Sequence, residues 1–122
     1  VLPKINPGSN NAACSILHQF LHDQQGYKDP NLSLESMAEQ LAISKGKLSG
    51  YLQECFGMSF PEIINRYRIN HFIELYKKDE LKLMKVETLI LQCGYRNKTT
   101  FYLAFKKVLQ TNPSTFIKQG NK

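Results

Sequence analysis

Several features that mark other protein classes are missing from this 122-residue sequence. No apolar run approaches the roughly 18 residues of a membrane-spanning helix, so we expect no transmembrane segment. The start of the chain shows no signal-peptide pattern. Neither a glycine-rich phosphate loop nor a paired-carboxylate motif is present, so an enzymatic function has no support. Strand-like alternation is missing as well, which favours an all-α fold.

Cysteine is scarce, and the three examples are Cys14, Cys55 and Cys93. Their odd number and wide spacing predict neither a disulfide framework nor a zinc site of the C-x-x-C type. Each of the three lies among apolar residues at helical spacing. We therefore predict three small core residues in a protein from a reducing compartment.

Candidate metal-binding and catalytic residues are few. His18 and His22 lie four residues apart on one helical face, but no third ligand is evident and a closed zinc site needs four. His71 and Cys93 could be a base and a nucleophile, but both lie on apolar helical patterns that indicate core packing. We therefore expect no metal site and no cofactor.

Acidic residues are absent after Glu87, although the chain carries a net charge of +6. Residues 1–57 hold four lysines and five acids, whereas residues 58–122 hold twelve Lys/Arg and five acids. A patch of one charge sign attracts polyanions, with nucleic acid first and an anionic membrane second. A solvated helical face explains the same charges, so the charge alone does not decide.

Apolar residues at helical spacing predict helices at residues 12–24, 34–42, 44–57 and 61–77. The ends of these helices are marked by residue type, because Ser33 and Ser44 suit N-caps and Gly57 suits a C-cap. Residues 1–11 contain two prolines and a glycine, which predicts a linker or an arm.

The two halves of the chain share one pattern. The apolar positions of residues 34–41 recur 52 residues later, and after a one-residue insertion those of residues 44–56 recur 53 residues later. This offset predicts an internal duplication of a helix-turn-helix unit around a long connecting helix. We place the first unit at residues 12–57, the linker helix and loop at 58–82 and the second unit at 83–122.

Two helix-turn-helix units on one connector suit double-stranded DNA. Each unit inserts its second helix into the major groove, and successive grooves on one DNA face lie roughly 34 Å apart. The linker helix spans roughly 25 Å, which is the right scale once the width of the units is added. The alternative is a helical protein–protein interaction module without specific DNA readout, which would expose an apolar patch instead of a basic face.

A specific motif supports the DNA interpretation. Residues 94–107 read G-Y-R-N-K-T-T-F-Y-L-A-F-K-K and residues 112–116 read N-P-S-T-F. They resemble the signature G-[FY]-x-[SDN]-x-[ST]-x-F-x-x-x-F-K-[KR], followed by [TN]-P-x-x-[FY], of the AraC/XylS family of bacterial transcription regulators. The first half is also similar, through F-G-M-S-F at 56–60 and Arg68-Ile69, so the resemblance covers residues 32–118.

The resemblance implies two helix-turn-helix subdomains and a role as the sequence-specific, DNA-binding output domain of a larger sensor-regulator. The implied partners are promoter or operator DNA and RNA polymerase. The implied location is the cytoplasm, where the domain could also be part of a parent protein attached to the membrane. No small-molecule site is expected in this chain, and a dimer is expected only in a longer parent. The chain is too short for the family's usual sensory domain, so it is either a stand-alone small regulator or the C-terminal piece of a larger one. Its start at Val1 and the proline- and glycine-containing first residues favour the fragment.

Matching positions in the second unit imply that Lys98, Thr99, Tyr102 and Leu103 contact DNA bases. Lys98 can donate to guanine O6 and N7, and Thr99 can hydrogen-bond a base or a phosphate. Tyr102 or Leu103 can touch a thymine methyl group. Many relatives carry arginine where Leu103 stands, so one bidentate base contact is expected to be missing here.

In the first unit the matching base-contact positions are Gly46, Ser49 and Gly50. Each glycine weakens a helix by roughly 1 kcal/mol relative to alanine and cannot reach a base edge, so we expect weaker readout by this unit. A close backbone approach to DNA is the functional counter-interpretation. For Arg68, a structural role that ties the linker helix to one unit is at least as good an interpretation as a phosphate contact. Phosphate contacts are expected from Lys45, Lys47, Arg96, Asn97, Lys106, Lys107 and Ser114.

Overall fold

The computed structural model describes residues 2–5 and 12–120, with side chains described through residue 117. Within these residues the secondary structure is helical without any strand, which confirms the predicted all-α fold. In the same described part, no helix combines the length and the apolar character needed to span a membrane. The α-helices are α1 (Ala12–His18), α2 (Leu34–Leu41), α3 (Lys45–Phe56), α4 (Phe60–Lys78), α5 (Val86–Gln92), α6 (Lys98–Leu109) and α7 (Pro113–Gly120).

The helix ends follow the residue types predicted for them. The Ser33 side chain accepts a hydrogen bond from the backbone N–H of Ser36 at 3.0 Å, and the backbone N–H of Ser33 donates to the Ser36 hydroxyl at 2.9 Å. Ser44 caps α3 by accepting from the backbone of Lys47. Gly57 ends α3 with φ 68°, a left-handed conformation that glycine adopts without steric cost.

The first predicted helix differs in form from a regular α-helix. After α1 ends at His18, residues 19–23 form a wider π-helical turn, and residues 26–28 form a 3₁₀ turn. The shift buries the Phe20 ring against Gly26, where a Cβ atom would lie 2.5 Å from the ring. Most of the predicted arm at residues 1–11 lies outside the described residues, although Leu2 and Ile5 pack against the core of the first unit.

The linker helix α4 belongs to two apolar cores. Its first half contributes Ile63 and Tyr67 to a core formed with α1, α2 and α3. Its second half contributes Phe72 and Tyr76 to a core formed with α5, α6 and α7. Because one continuous helix is buried in both cores, it joins the two helix-turn-helix subdomains as a stiff element. The exact domain boundaries stay a prediction.

Arg68 connects the two subdomains at the middle of α4. Its Nε donates to the carbonyl of Tyr27 at 2.8 Å, and its Nη2 donates to the carbonyl of Asp29 at 2.9 Å. Its guanidinium also lies 5.4 Å above the centre of the Tyr95 ring, which precedes α6. The predicted tie between the linker helix and one unit is confirmed, and the same arginine reaches the other unit as well.

Cys14 and Cys55 form a disulfide bond, so the prediction of three unpaired cysteines is wrong for this pair. Both cysteines lie in the first core, as predicted. However, α1 packs against α3 and brings two Cα atoms that are 41 residues apart in the chain to 5.5 Å. Sequence spacing carries no information about such a contact. Cys93 is a buried free thiol, as predicted.

Candidate nucleic-acid interface

The second helix of each helix-turn-helix motif is called the recognition helix below; it is α3 in the α2–α3 motif and α6 in the α5–α6 motif. Both recognition helices follow a turn residue with positive φ at the same place of the duplication, Ala42 at 57° and Gly94 at 105°. Both start after a capping side chain, and that of Asn97 accepts from the backbone of Thr100 at 2.9 Å. The duplication predicted from the sequence is thus visible in the turn geometry.

One face of α6 is buried in the core that α4 forms with α5, α6 and α7. Phe101 and Phe105 are fully buried, and their ring centroids lie 4.7 and 6.3 Å from that of Phe72. A helix that buries this stripe must turn its other side outward. Tyr102 is 39% exposed and Leu103 is 68% exposed, which places both on the surface where the sequence predicted base contacts.

The remaining predicted base-contact residues are exposed too. Lys98 and Thr99 lie in the first turn of α6, next to the solvent. In α3, Gly46, Ser49 and Gly50 are exposed, whereas Leu48, Leu52, Cys55 and Phe56 are buried. A Cβ atom at either glycine would meet nothing within 4 Å, so packing within the domain does not require glycine at these positions.

All seven predicted phosphate-contact residues lie on the surface. Lys47, Arg96, Lys106, Lys107 and Ser114 are exposed. Asn97 is exposed as well, but its side-chain oxygen already caps α6, which leaves the amide nitrogen for a phosphate. Lys45 is exposed and paired with Glu35 at 3.2 Å.

Two glutamates at this surface were not identified from the sequence. Glu87 lies 2.7 Å from Lys98, and the hydrogen bond from Lys98 lowers the pKa of Glu87 while it raises the pKa of Lys98. The pKa of Glu35 is lowered by its own backbone amide and then by Lys45. The signal was available, since the offsets of 52 and 53 residues relate Glu35 to Glu87 and Lys45 to Lys98.

The other titratable groups considered from the sequence have structural partners. Burial raises the pKa of Cys93 to about 12, and its thiol donates to the carbonyl of Ile90. Burial also lowers the pKa of His71, whose Nδ1 lies 3.0 Å from the Tyr27 hydroxyl. His18 and His22 stack with ring centroids 4.8 Å apart. In the described part of the chain no cluster of three or more His, Cys, Asp or Glu could hold a metal ion.

Comparisons with known proteins agree with this geometry. A family model described as "Helix-turn-helix domain" matches residues 37–119. YijO, an uncharacterized HTH-type transcriptional regulator of Escherichia coli, is 31% identical over 88 residues, which are 72% of this chain and 30% of that protein. The HTH-type transcriptional regulator AlkR of Acinetobacter baylyi is 22% identical over 116 residues, which are 95% and 34% of the two chains. The chain therefore spans about a third of the length of these relatives.

Two solved structures have the same fold. The C-terminal domain of AraT, a response regulator from Geobacillus stearothermophilus, superposes with a TM-score of 0.78 at 24% identity, over 89% of this chain and 86% of that one. The C-terminal domain of the two-component response regulator yesN from Fusobacterium nucleatum gives 0.73 at 23% identity, over 87% and 98%. With the family model over residues 37–119 and this duplicated fold, the chain belongs to the AraC/XylS family of helix-turn-helix transcription regulators.

Proposed function

We propose that this chain is the DNA-binding output domain of a larger bacterial regulator and that α3 and α6 read promoter or operator DNA. The exposed face of α6 carries this proposal, because a buried aromatic stripe turns Lys98, Thr99 and the Tyr102–Leu103 pair toward the solvent together. A helix with such a face fits the major groove with its N-terminal end first. Basic residues at the start of α3 and at both ends of α6 supply contacts to the phosphates.

The two recognition helices are expected to contribute unequally. α6 offers a lysine, a threonine and a tyrosine to the groove, whereas α3 offers two glycines and a serine. Side chains that reach base edges contribute specificity, and phosphate contacts contribute affinity without sequence information. The second unit therefore supplies most of the specificity, and the first unit mainly adds affinity through Lys45 and Lys47.

Selection from a randomised duplex library at 50 and 200 mM salt tests this function, with Lys98→Ala and Thr99→Ala beside the parent. We expect an enriched motif with two elements on one DNA face. Lys98→Ala should relax the motif at one position and cost about 1–3 kcal/mol of binding free energy. With five Lys/Arg contacts to phosphate, the affinity should fall about 500-fold between the two salt concentrations.

Two outcomes would contradict the proposal. Binding without any sequence preference would reduce the domain to a non-specific DNA binder. A salt-independent interaction, or none, would favour the protein-interaction alternative.

One structural observation supports a contact with another protein, since Leu81 and Leu83 are 79% and 78% exposed in the loop before α5. We propose this loop as the contact for RNA polymerase, and Leu81→Ser with Leu83→Ser should then reduce transcription activation without reducing DNA binding.

The glycines of α3 allow a test of the free domain. Gly46→Ala and Gly50→Ala should each raise the free energy of unfolding by about 0.5–1 kcal/mol, because alanine favours a helix and the added Cβ meets open space. Urea unfolding followed by circular dichroism measures this change. A loss of stability would contradict it. If either variant also binds DNA more weakly, the glycine serves a close approach of the DNA backbone.

The proposed location is the cytoplasm, where bacterial promoters lie, with a sensory domain elsewhere in a longer protein. Cytosolic proteins are kept in a reducing environment, so we expect the Cys14–Cys55 bond to be reduced there and the domain to fold without it. We assign dimerisation and inducer binding to the longer protein.

A further inference from the structure

Each helix-turn-helix unit carries a glutamate–lysine ion pair at the same place. In the first unit Glu35 lies 3.2 Å from Lys45, and in the second unit Glu87 lies 2.7 Å from Lys98. Each glutamate is the second residue of the helix that precedes the recognition helix, and each lysine is the first residue of the recognition helix. The pair therefore recurs in both copies, although few of the surrounding residues are identical.

Folding stability is a weak reason for these pairs. All four side chains are more than half exposed, and exposed ion pairs contribute little to the free energy of unfolding. A glutamate in a first helical turn is favourable without any lysine beside it. Against DNA, a carboxylate on this surface is unfavourable because it repels phosphates. The pairs need an explanation that involves the lysines.

A lysine side chain is long and flexible, and its ammonium behaves as a point charge that can follow any nearby phosphate. The bond to Glu87 holds the Lys98 ammonium at the N-terminal end of α6 and uses one of its three hydrogens. Two hydrogens remain for the O6 and N7 atoms of a guanine. A phosphate that drew Lys98 away would leave the Glu87 carboxylate unpaired beside the DNA.

We propose that Glu35 and Glu87 are positioning residues that determine specificity, because they orient the first lysine of each recognition helix and weaken binding to non-cognate DNA. The inference rests on the proposed DNA contact of α3 and α6. Glu87 orients a lysine that reads a base, and Glu35 orients a lysine that contacts phosphate. In a cognate complex the lysine binds DNA while it stays paired. In a complex held by phosphates alone, the carboxylate opposes binding.

The variant Glu87→Gln keeps the shape of the side chain and removes its charge. Binding is measured to the selected site and to a random-sequence duplex of equal length at several salt concentrations. For the random duplex we expect the affinity to rise about fivefold at low salt. The slope of log affinity against log salt concentration should become steeper by about one released counterion. The ratio of specific to non-specific affinity should fall accordingly.

Glu80→Gln is the matched control, since it removes the same charge from the exposed loop between α4 and α5. It should leave the affinity ratio at the parental value. Glu87→Gln is also tested in the Lys98→Ala background, where its effect on the ratio should vanish because no lysine is left to orient. Glu35→Gln should raise the affinity for the random duplex and leave the selected motif unchanged.

Three results would overturn the inference. If Glu87→Gln lowers the thermal midpoint but behaves like Glu80→Gln toward DNA, Glu87 only stabilises its helix. If its effect persists in Lys98→Ala, the carboxylate acts by charge alone and positions nothing. If Lys98→Ala itself leaves the motif and the ratio unchanged, the proposed base contact fails and this inference fails with it. If Lys98→Ala has its expected effect and the first of these results is found, the inference fails and the proposed function stands.

Discussion

Gly94→Ala is expected to lower the free energy of unfolding by about 3 kcal/mol or more, a large part of the stability of a small domain. Gly94 has φ 105°, a conformation that residues with a Cβ atom rarely adopt. The added Cβ would lie 2.5 Å from the carbonyl oxygen of Tyr27 and 2.8 Å from Nε of Arg68. The carbonyl belongs to the backbone and cannot move by a side-chain rotation. To make room for the Cβ atom, one subdomain must therefore shift against the other.

Urea unfolding followed by circular dichroism measures the loss. Gly46→Ala is the matched control, because the same substitution in the exposed face of α3 should stabilise the domain. A decrease below about 1 kcal/mol for Gly94→Ala would mean that the turn can relax at little cost. Because Tyr27 belongs to the first unit and Gly94 to the second, a folded Gly94→Ala domain should also prefer a changed spacing between its two DNA elements.

Reduction of the disulfide is expected to lower the free energy of unfolding by about 3–4 kcal/mol. A cross-link between residues 41 positions apart reduces the conformational entropy of the unfolded chain, and the loop-length relation puts the effect near 4 kcal/mol. Cys14 and Cys55 are both buried, so the bond should resist reductant until the domain opens. Unfolding curves with and without reductant, recorded after equilibration, measure the difference.

Two variants separate the disulfide from a general effect of reductant. The double variant Cys14→Ala, Cys55→Ala should give the same curve with and without reductant. Cys93→Ala, which removes the buried free thiol, should keep the full difference between the two conditions. Thiol titration of the denatured, unreduced protein should find one thiol per chain. Three thiols and overlapping curves would show that the bond does not form.

The cysteines show where sequence reasoning ends. Their burial was predicted correctly, because apolar neighbours at helical spacing report which face of a helix turns inward. The bond between Cys14 and Cys55 was not predicted, because it depends on the packing of α1 against α3. Periodicity identifies a buried face, and it does not identify the residue on the other side of the contact.

The same limit applies to the proposed DNA-binding surface. The duplication and the motif at 94–116 were sufficient to predict which side chains of α6 are exposed, since burial of Phe101 and Phe105 leaves the opposite face of the helix to the solvent. They did not reveal that Glu87 pairs with Lys98, although the repeat offsets place the glutamates and the lysines at equivalent positions. Side chains on two helices meet only when the turn between the helices is folded.

The sequence by itself determined the all-helical fold, the caps at Ser33, Ser44 and Gly57, the duplication and the residues that face the solvent on α3 and α6. All of these depend on residue type and on short-range periodicity along one helix. The tertiary structure decided the disulfide, the glutamate–lysine pairs and the contact of Arg68 and Gly94 with Tyr27. The physical reason is that these contacts join residues from different helices, whose distances are set by how the elements pack.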